Sequence, residues 1–113
     1  MKKFIVTYHA PTSVMEQMAN TPKEDREKGM EQWMIWAQKC GNHLIDMGRP
    51  LAAGERIFVG GKSKPSNREV CGYSILQAEN VDQAKKLLDG HPHLNGWDKA
   101  CEIELHEALD LQG

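Results

Sequence analysis

Two stretches of this sequence carry the punctuation of a helix, and segments of alternating apolar and polar residues flank them. Thr21-Pro22-Lys23-Glu24 reads as a capping box with proline at the first helical position. Trp33, Ala37, Cys40 and Leu44 then recur at i, i+4, i+7 and i+11, and Trp36 and Met47 widen that stripe. The spacing predicts a helix with one face on a core, running to about Met47 and stopped by Gly48 and Pro50. Gly41 falls inside it, at a cost of about 1 kcal/mol relative to alanine, and marks a close backbone approach or a kink. The second helix starts at Asn80-Val81-Asp82-Gln83, turns Ala84, Leu87 and Leu88 to the core, and closes at Gly90 and Pro92.

Around these helices the period changes from 3.6 to 2. In Lys2 to His9, Phe4, Val6 and Tyr8 point one way and Ile5, Thr7 and His9 the other. Leu51 to Val59 is extended but irregular and leads into a flexible loop from Gly60 to Asn67; Val70 to Ala78 is another strand. The last strand, about Ala100 to Leu109, turns Cys101, Ile103 and Leu105 to one face and Glu102, Glu104 and His106 to the other. The order strand, helix, strand, strand, helix, strand predicts an α+β, ferredoxin-like βαββαβ sandwich. Its four-stranded antiparallel sheet has the spatial order 4-1-3-2 and both helices on one face. The other face is left bare, and a bare apolar sheet face is a binding surface or a dimer interface.

The 113 residues form one domain, 1–113, in this reading. Folding at this size removes roughly 65% of the unfolded chain's surface from water, enough for one core but not for a separate cofactor domain. Fourteen basic against sixteen acidic residues, with no basic run interleaved with aromatics, argue against nucleic acid as a partner. No apolar stretch approaches the roughly 20 residues that cross a bilayer, so no membrane association is expected. Met1-Lys2-Lys3 and the alternating segment after it do not form a signal peptide, and a cytoplasmic protein is expected. Cys40, Cys71 and Cys101 are widely spaced and odd in number, which favours reduced, mostly buried thiols over a disulfide framework or a zinc knuckle.

Two groups of residues could carry acid-base chemistry. If the first and last strands are neighbours, Thr7 and His9 share a face with Glu102, Glu104 and His106, and a carboxylate beside an imidazole strengthens it as a base. The competing explanation is the solvated side of an edge strand. His91-Pro92-His93 follows the second helix, where the imidazoles either cap its carbonyls or line a pocket. Two histidines without a third ligand at motif spacing do not make a metal site, and no metal or other cofactor is expected. Asp46, near the expected end of the first helix, opposes the helix dipole and marks either a site or simple exposure. Trp97, in the loop before the last strand, caps a pocket or joins an interface, whereas Trp33 and Trp36 fit a core. Gly60-Gly61-Lys62-Ser63 lacks the spaced upstream glycine and following helix of a phosphate loop, and neither G-x-S-x-G nor G-x-G-x-x-G occurs.

Leu44 to Leu51, Cys71 to Ala78, Ala84 to Leu88, His91-Pro92 and Ile103 to Glu107, in that order and spacing, resemble the YCII-related domain of the dimeric α/β-barrel superfamily over nearly the whole chain. The resemblance implies a ferredoxin-like protomer whose open sheet face packs on a second copy, and a pocket holding a histidine-aspartate pair. Asp46, just before Gly48, matches the family's aspartate. The family's histidine lies earlier on the helix, where this chain has Trp36-Ala37, so His9 or His91 is the expected replacement. The Asp-Gly-Pro-Phe signature of a related subgroup is replaced by Lys64-Pro65-Ser66-Asn67. The resulting expectation is a homodimer acting on a small molecule by lyase, isomerase or dehalogenation-type chemistry. His9, Asp46 and His91 are the expected catalytic residues, with Tyr73, His93, Trp97, Glu104 and His106 binding substrate. The alternative is a non-catalytic ligand-binding or regulatory homodimer.

Overall fold

The computed structural model describes residues 1–95 and 97–111, and at residue 18 the main chain only. The elements are β1 (Lys2–His9), α1 (Thr12–Ala19), α2 (Lys23–Cys40), β2 (Leu44–Asp46), β3 (Glu55–Ile57), β4 (Ser63–Pro65), β5 (Val70–Ala78), α3 (Val81–Leu87) and β6 (Glu102–Ala108). Single 3₁₀ turns cover Gly41–His43 and Pro92–Leu94. Four strands form an antiparallel sheet in the order β2-β5-β1-β6. Alternation along β1 sends Phe4, Val6 and Tyr8 into the core, where they meet Leu76 and Ala78 from β5, Trp36 and Cys40 from α2, and Ala84 and Leu88 around α3. Trp36 ties the two helices together by donating its indole N–H to the Leu87 carbonyl (2.8 Å). α2 and α3 thus share one face of the sheet, and Ile5, Thr7, His9, Tyr73 and Ile75 lie half-buried on the other.

Three expectations about local structure are corrected. Thr21 does not cap α2: its hydroxyl donates to the Gln17 carbonyl (3.0 Å), because the unexpected helix α1 ends there and leaves carbonyls without partners. Pro22 is the residue before α2 instead. α2 then stops at Cys40, not Met47, because Gly41 has φ +57° and ψ −130°, outside any helix. Leu44 keeps its place against the core, but as part of an edge strand.

The edge strand next to β5 is accordingly Leu44–Asp46, extended by a bridge between Pro50 and Gly72. The expected strand from Leu51 to Val59 supplies only β3, which pairs with β4 in a separate hairpin outside the sheet, and β4 lies within the expected flexible loop. The second helix starts as its sequence predicts. Asn80 Oδ1 accepts from the Gln83 N–H (2.9 Å), and Gln83 Oε1 accepts from the Glu79 N–H (2.6 Å). Cys40 and Cys101 are buried free thiols and Cys71 is half-buried; burial raises all three above the ordinary thiol value. No helix among the described residues is long and apolar enough to cross a membrane.

Candidate functional site

The register of β1 against β6 sets Thr7 opposite Glu104, His9 opposite Glu102 and Ile5 opposite His106. The imidazole of His9 is held at both nitrogens. Nδ1 lies 3.1 Å from the main-chain carbonyl of Arg68, and since a carbonyl can only accept, Nδ1 carries the proton. Nε2 of the neutral ring therefore presents its lone pair on the open face, where the Thr7 hydroxyl donates to it (2.9 Å). Glu104 stands 3.7 Å from the same nitrogen and accepts from His106 Nε2 at 2.9 Å. That hydrogen bond, followed by the charge of His9, holds the Glu104 carboxyl below its ordinary value, so it is ionised when His9 gains a proton.

Beside this cluster runs an open groove of about 370 Å³, lined by His9, Pro11, Arg68, Glu69, Glu102 and Glu104 among others. Glu69 has φ +56°, unusual for a side-chain-bearing residue, and is pinned at two points. Its carboxylate accepts from the first amide of α1, Thr12 N–H (2.7 Å), and its carbonyl accepts from the Ala10 N–H (3.0 Å). This clamp fixes the carbonyl of Arg68 that sets the His9 tautomer.

His91 belongs to a different environment. It is fully buried, and its ring lies 4.5 Å from that of Trp33, 4.4 Å from Trp36 and 5.0 Å from Tyr8. Nδ1 accepts from the His93 N–H (2.9 Å), so the proton sits on Nε2 and is donated to the Tyr8 hydroxyl (3.2 Å). Tyr8 in turn donates to Ser74 Oγ (2.7 Å), which donates to the Met47 carbonyl (2.6 Å). The chain has one direction and leaves no polar atom without a partner. Burial, reinforced by His93, pushes the His91 pKa down to about 3, and burial raises the Tyr8 phenol well above its ordinary value.

The three residues expected to be catalytic are not brought together. His91 lies on the helix-covered side of the sheet, sealed from solvent by the two tryptophans. Asp46 is on β2, with β5 between it and β1; it is level with Ile75 and hence Ile5, four residues along from His9. Strand spacing and rise put the Cα atoms of Asp46 and His9 roughly 16 Å apart. Asp46 instead accepts from the Gly48 N–H (2.8 Å) and, at 3.5 Å, from the Tyr73 hydroxyl. It ends a strand and not a helix, so its expected conflict with a helix dipole does not arise.

Of the residues expected to bind substrate, Glu104 and His106 join His9, whereas Tyr73 pairs with Asp46. His93 lies beneath the site: it is buried, and Nε2–H donates to the main-chain carbonyl of His9 (2.9 Å). Burial holds its pKa below the ordinary imidazole value. Trp97 packs against the ring of His93 at 5.3 Å and on the cluster of Ala10, Val14 and Cys101; of these Ala10 lines the groove and Trp97 does not.

Sequence reasoning missed the roles of Arg68, Glu69 and Ser74. Ser74 was detectable, because alternation puts it on the inward side of β5 beside Leu76, where a hydroxyl needs a partner. No three His, Cys, Asp or Glu side chains among the described residues are arranged to hold a metal ion. No protein-family model matches the chain, and no curated protein matches it.

Proposed function

We propose that this chain is a small-molecule enzyme of the YCII-related kind, a ferredoxin-like protomer that pairs through its open sheet face into a dimeric α/β barrel and uses His9 as general base. The observation that carries this is the His9 imidazole itself. Its Nδ1 proton is committed to the Arg68 carbonyl, its Nε2 lone pair, in a ring that lines the groove, accepts from the Thr7 hydroxyl until a substrate displaces it, and an ionised carboxylate stands beside it. Such a ring takes a proton from a bound carbon acid or hydroxyl at Nε2, and Glu104 then stabilises the imidazolium. Returning that proton to another position gives an isomerase; returning it to a departing group gives a lyase. Neither outcome needs an organic cofactor. The acid-base pair is therefore histidine with glutamate, Asp46 and His91 serving the fold.

Support for the dimer comes from the half-buried Ile5 and Ile75 on the sheet face opposite α2 and α3 among the described residues. The reading is tested by screening a panel of small carboxylic and hydroxy acids for conversion by proton NMR and repeating any hit with His9→Gln. The expected loss is 10²- to 10⁴-fold in kcat. An unchanged rate in His9→Gln overturns the assignment of His9. A ligand that raises the melting temperature but is never converted favours the second reading, a non-catalytic ligand-binding homodimer, to which the openness of the groove in one chain also points.

A further inference from the structure

The hairpin of β3 and β4 is bonded only to itself, outside the four-stranded sheet. Its tip is nonetheless an ordered turn, in which the Phe58 N–H donates to the Lys62 carbonyl (2.8 Å) and the Gly61 N–H to the Phe58 carbonyl (2.9 Å). That turn holds three apolar residues in water: Ile57 is 76% exposed, Phe58 37%, and Val59 fully exposed. An isolated two-stranded hairpin is marginal in water, and an apolar tip presented this way needs a cover.

The charges show what would cover it. The hairpin carries Arg56, Lys62 and Lys64 against one acid, Glu55, and the Arg56 guanidinium lies 5.1 Å over the Phe58 ring. The groove beside His9 carries Glu69, Glu102 and Glu104 against one base, Arg68. Both ends of the arm are tied to the start of β5, through Leu51 N–H to the Cys71 carbonyl and through Val70 opposite His9. The arm therefore springs from the end of the sheet that holds the groove, and from Gly54 to Gly60 it reaches about 20 Å.

We propose that the hairpin is an exchange arm between two copies of this chain: its tip packs on the second copy, and Lys62 and Lys64 meet Glu102 and Glu104 there, closing that copy's groove. This rests on the homodimer reading above and adds that each site is incomplete without the partner's hairpin. The tip alone is too small for a stable interface, which takes about 1,200–2,000 Å² in all, so it adds to the open sheet face and does not replace it.

The test is zero-length carbodiimide cross-linking of a 1:1 exchanged mixture of unlabelled and ¹⁵N-labelled protein, with peptide mapping. Mixed-isotope links from Lys62 or Lys64 to Glu69, Glu102 or Glu104 are expected. In sedimentation equilibrium, Lys62→Glu with Lys64→Glu, and separately Ile57→Asp with Val59→Asp, should weaken dimerisation at least tenfold without altering the circular dichroism spectrum. A dimer that yields only same-isotope links, or whose affinity both double variants leave unchanged, overturns the arm and spares the homodimer reading. So does a tip that partitions into anionic vesicles instead. A chain that stays monomeric overturns both.

Discussion

Burial of His91 makes the stability of this fold depend on pH in a predictable direction. In the folded protein the ring stays uncharged down to about pH 3, whereas in the unfolded chain it takes a proton below about pH 6.5. Protons that only the unfolded chain can bind favour unfolding. The contribution of His91 is therefore fully present above pH 6.5 and falls as pH drops from there toward 3. Linkage over those two values gives a loss of about 2 kcal/mol at pH 5 and a little over about 3 kcal/mol at pH 4, with a slope of about 1.3 kcal/mol per pH unit between them. His93, also depressed by burial, adds to the loss with the same sign. The assay is urea unfolding at fixed protomer concentration from pH 7.5 to 4, in the wild type and in His91→Gln. The variant will be less stable throughout, because it breaks the chain to Tyr8, so the quantity to compare is the slope against pH. A variant slope equal to that of the wild type refutes the reasoning, as does a native-state NMR titration of His91 near pH 6.

Two other substitutions probe the same architecture. Tyr8→Phe deletes one hydroxyl and leaves the buried Nε2–H of His91 without an acceptor, so unfolding midpoints should report a loss of about 2–3 kcal/mol; a change under 0.5 kcal/mol would count against the hydrogen-bond direction assigned here. Gly48→Ala would put a Cβ 1.7 Å from the Tyr73 carbonyl oxygen at φ +81°, and should cost at least about 3 kcal/mol with loss of amide-exchange protection between β2 and β5. Unaltered protection would mean that the close approach at the sheet edge is relieved by a small shift.

Some of the candidate site is legible in the sequence. Alternation in Lys2–His9 and in the last strand put Thr7, His9, Glu104 and His106 on compatible faces, and the register of β1 with β6 then set the Glu104 carboxylate 3.7 Å from His9 Nε2. The groove's other wall was not legible, because Arg68 and Glu69 act through a carbonyl and a strained backbone angle rather than through residue type. His91 was assigned to catalysis because a histidine after a helix reads the same whether it caps, lines a pocket or turns inward. Here it turns inward, its flat ring packed against Trp33 and Trp36, one helical turn apart on α2, with its one donor and one acceptor both satisfied by Tyr8 and the His93 N–H.

Local chemistry in the sequence was enough to specify the inward face of β1, the start of α3 at its Asn80 and Gln83 box, and the amphipathic stripe of α2. Each depends on side-chain periodicity or on contacts within four residues, which the chain carries with it however it folds. Where α2 ends, which segment becomes the sheet edge and which histidine meets water were decided only by tertiary structure. Leu44–Asp46 reaches β5 directly after the turn at Gly41, occupies the edge that Leu51–Val59 was expected to fill, and so leaves residues 55–65 to stand apart as a hairpin. That competition is between segments distant along the chain, and nothing within either one announces which will win.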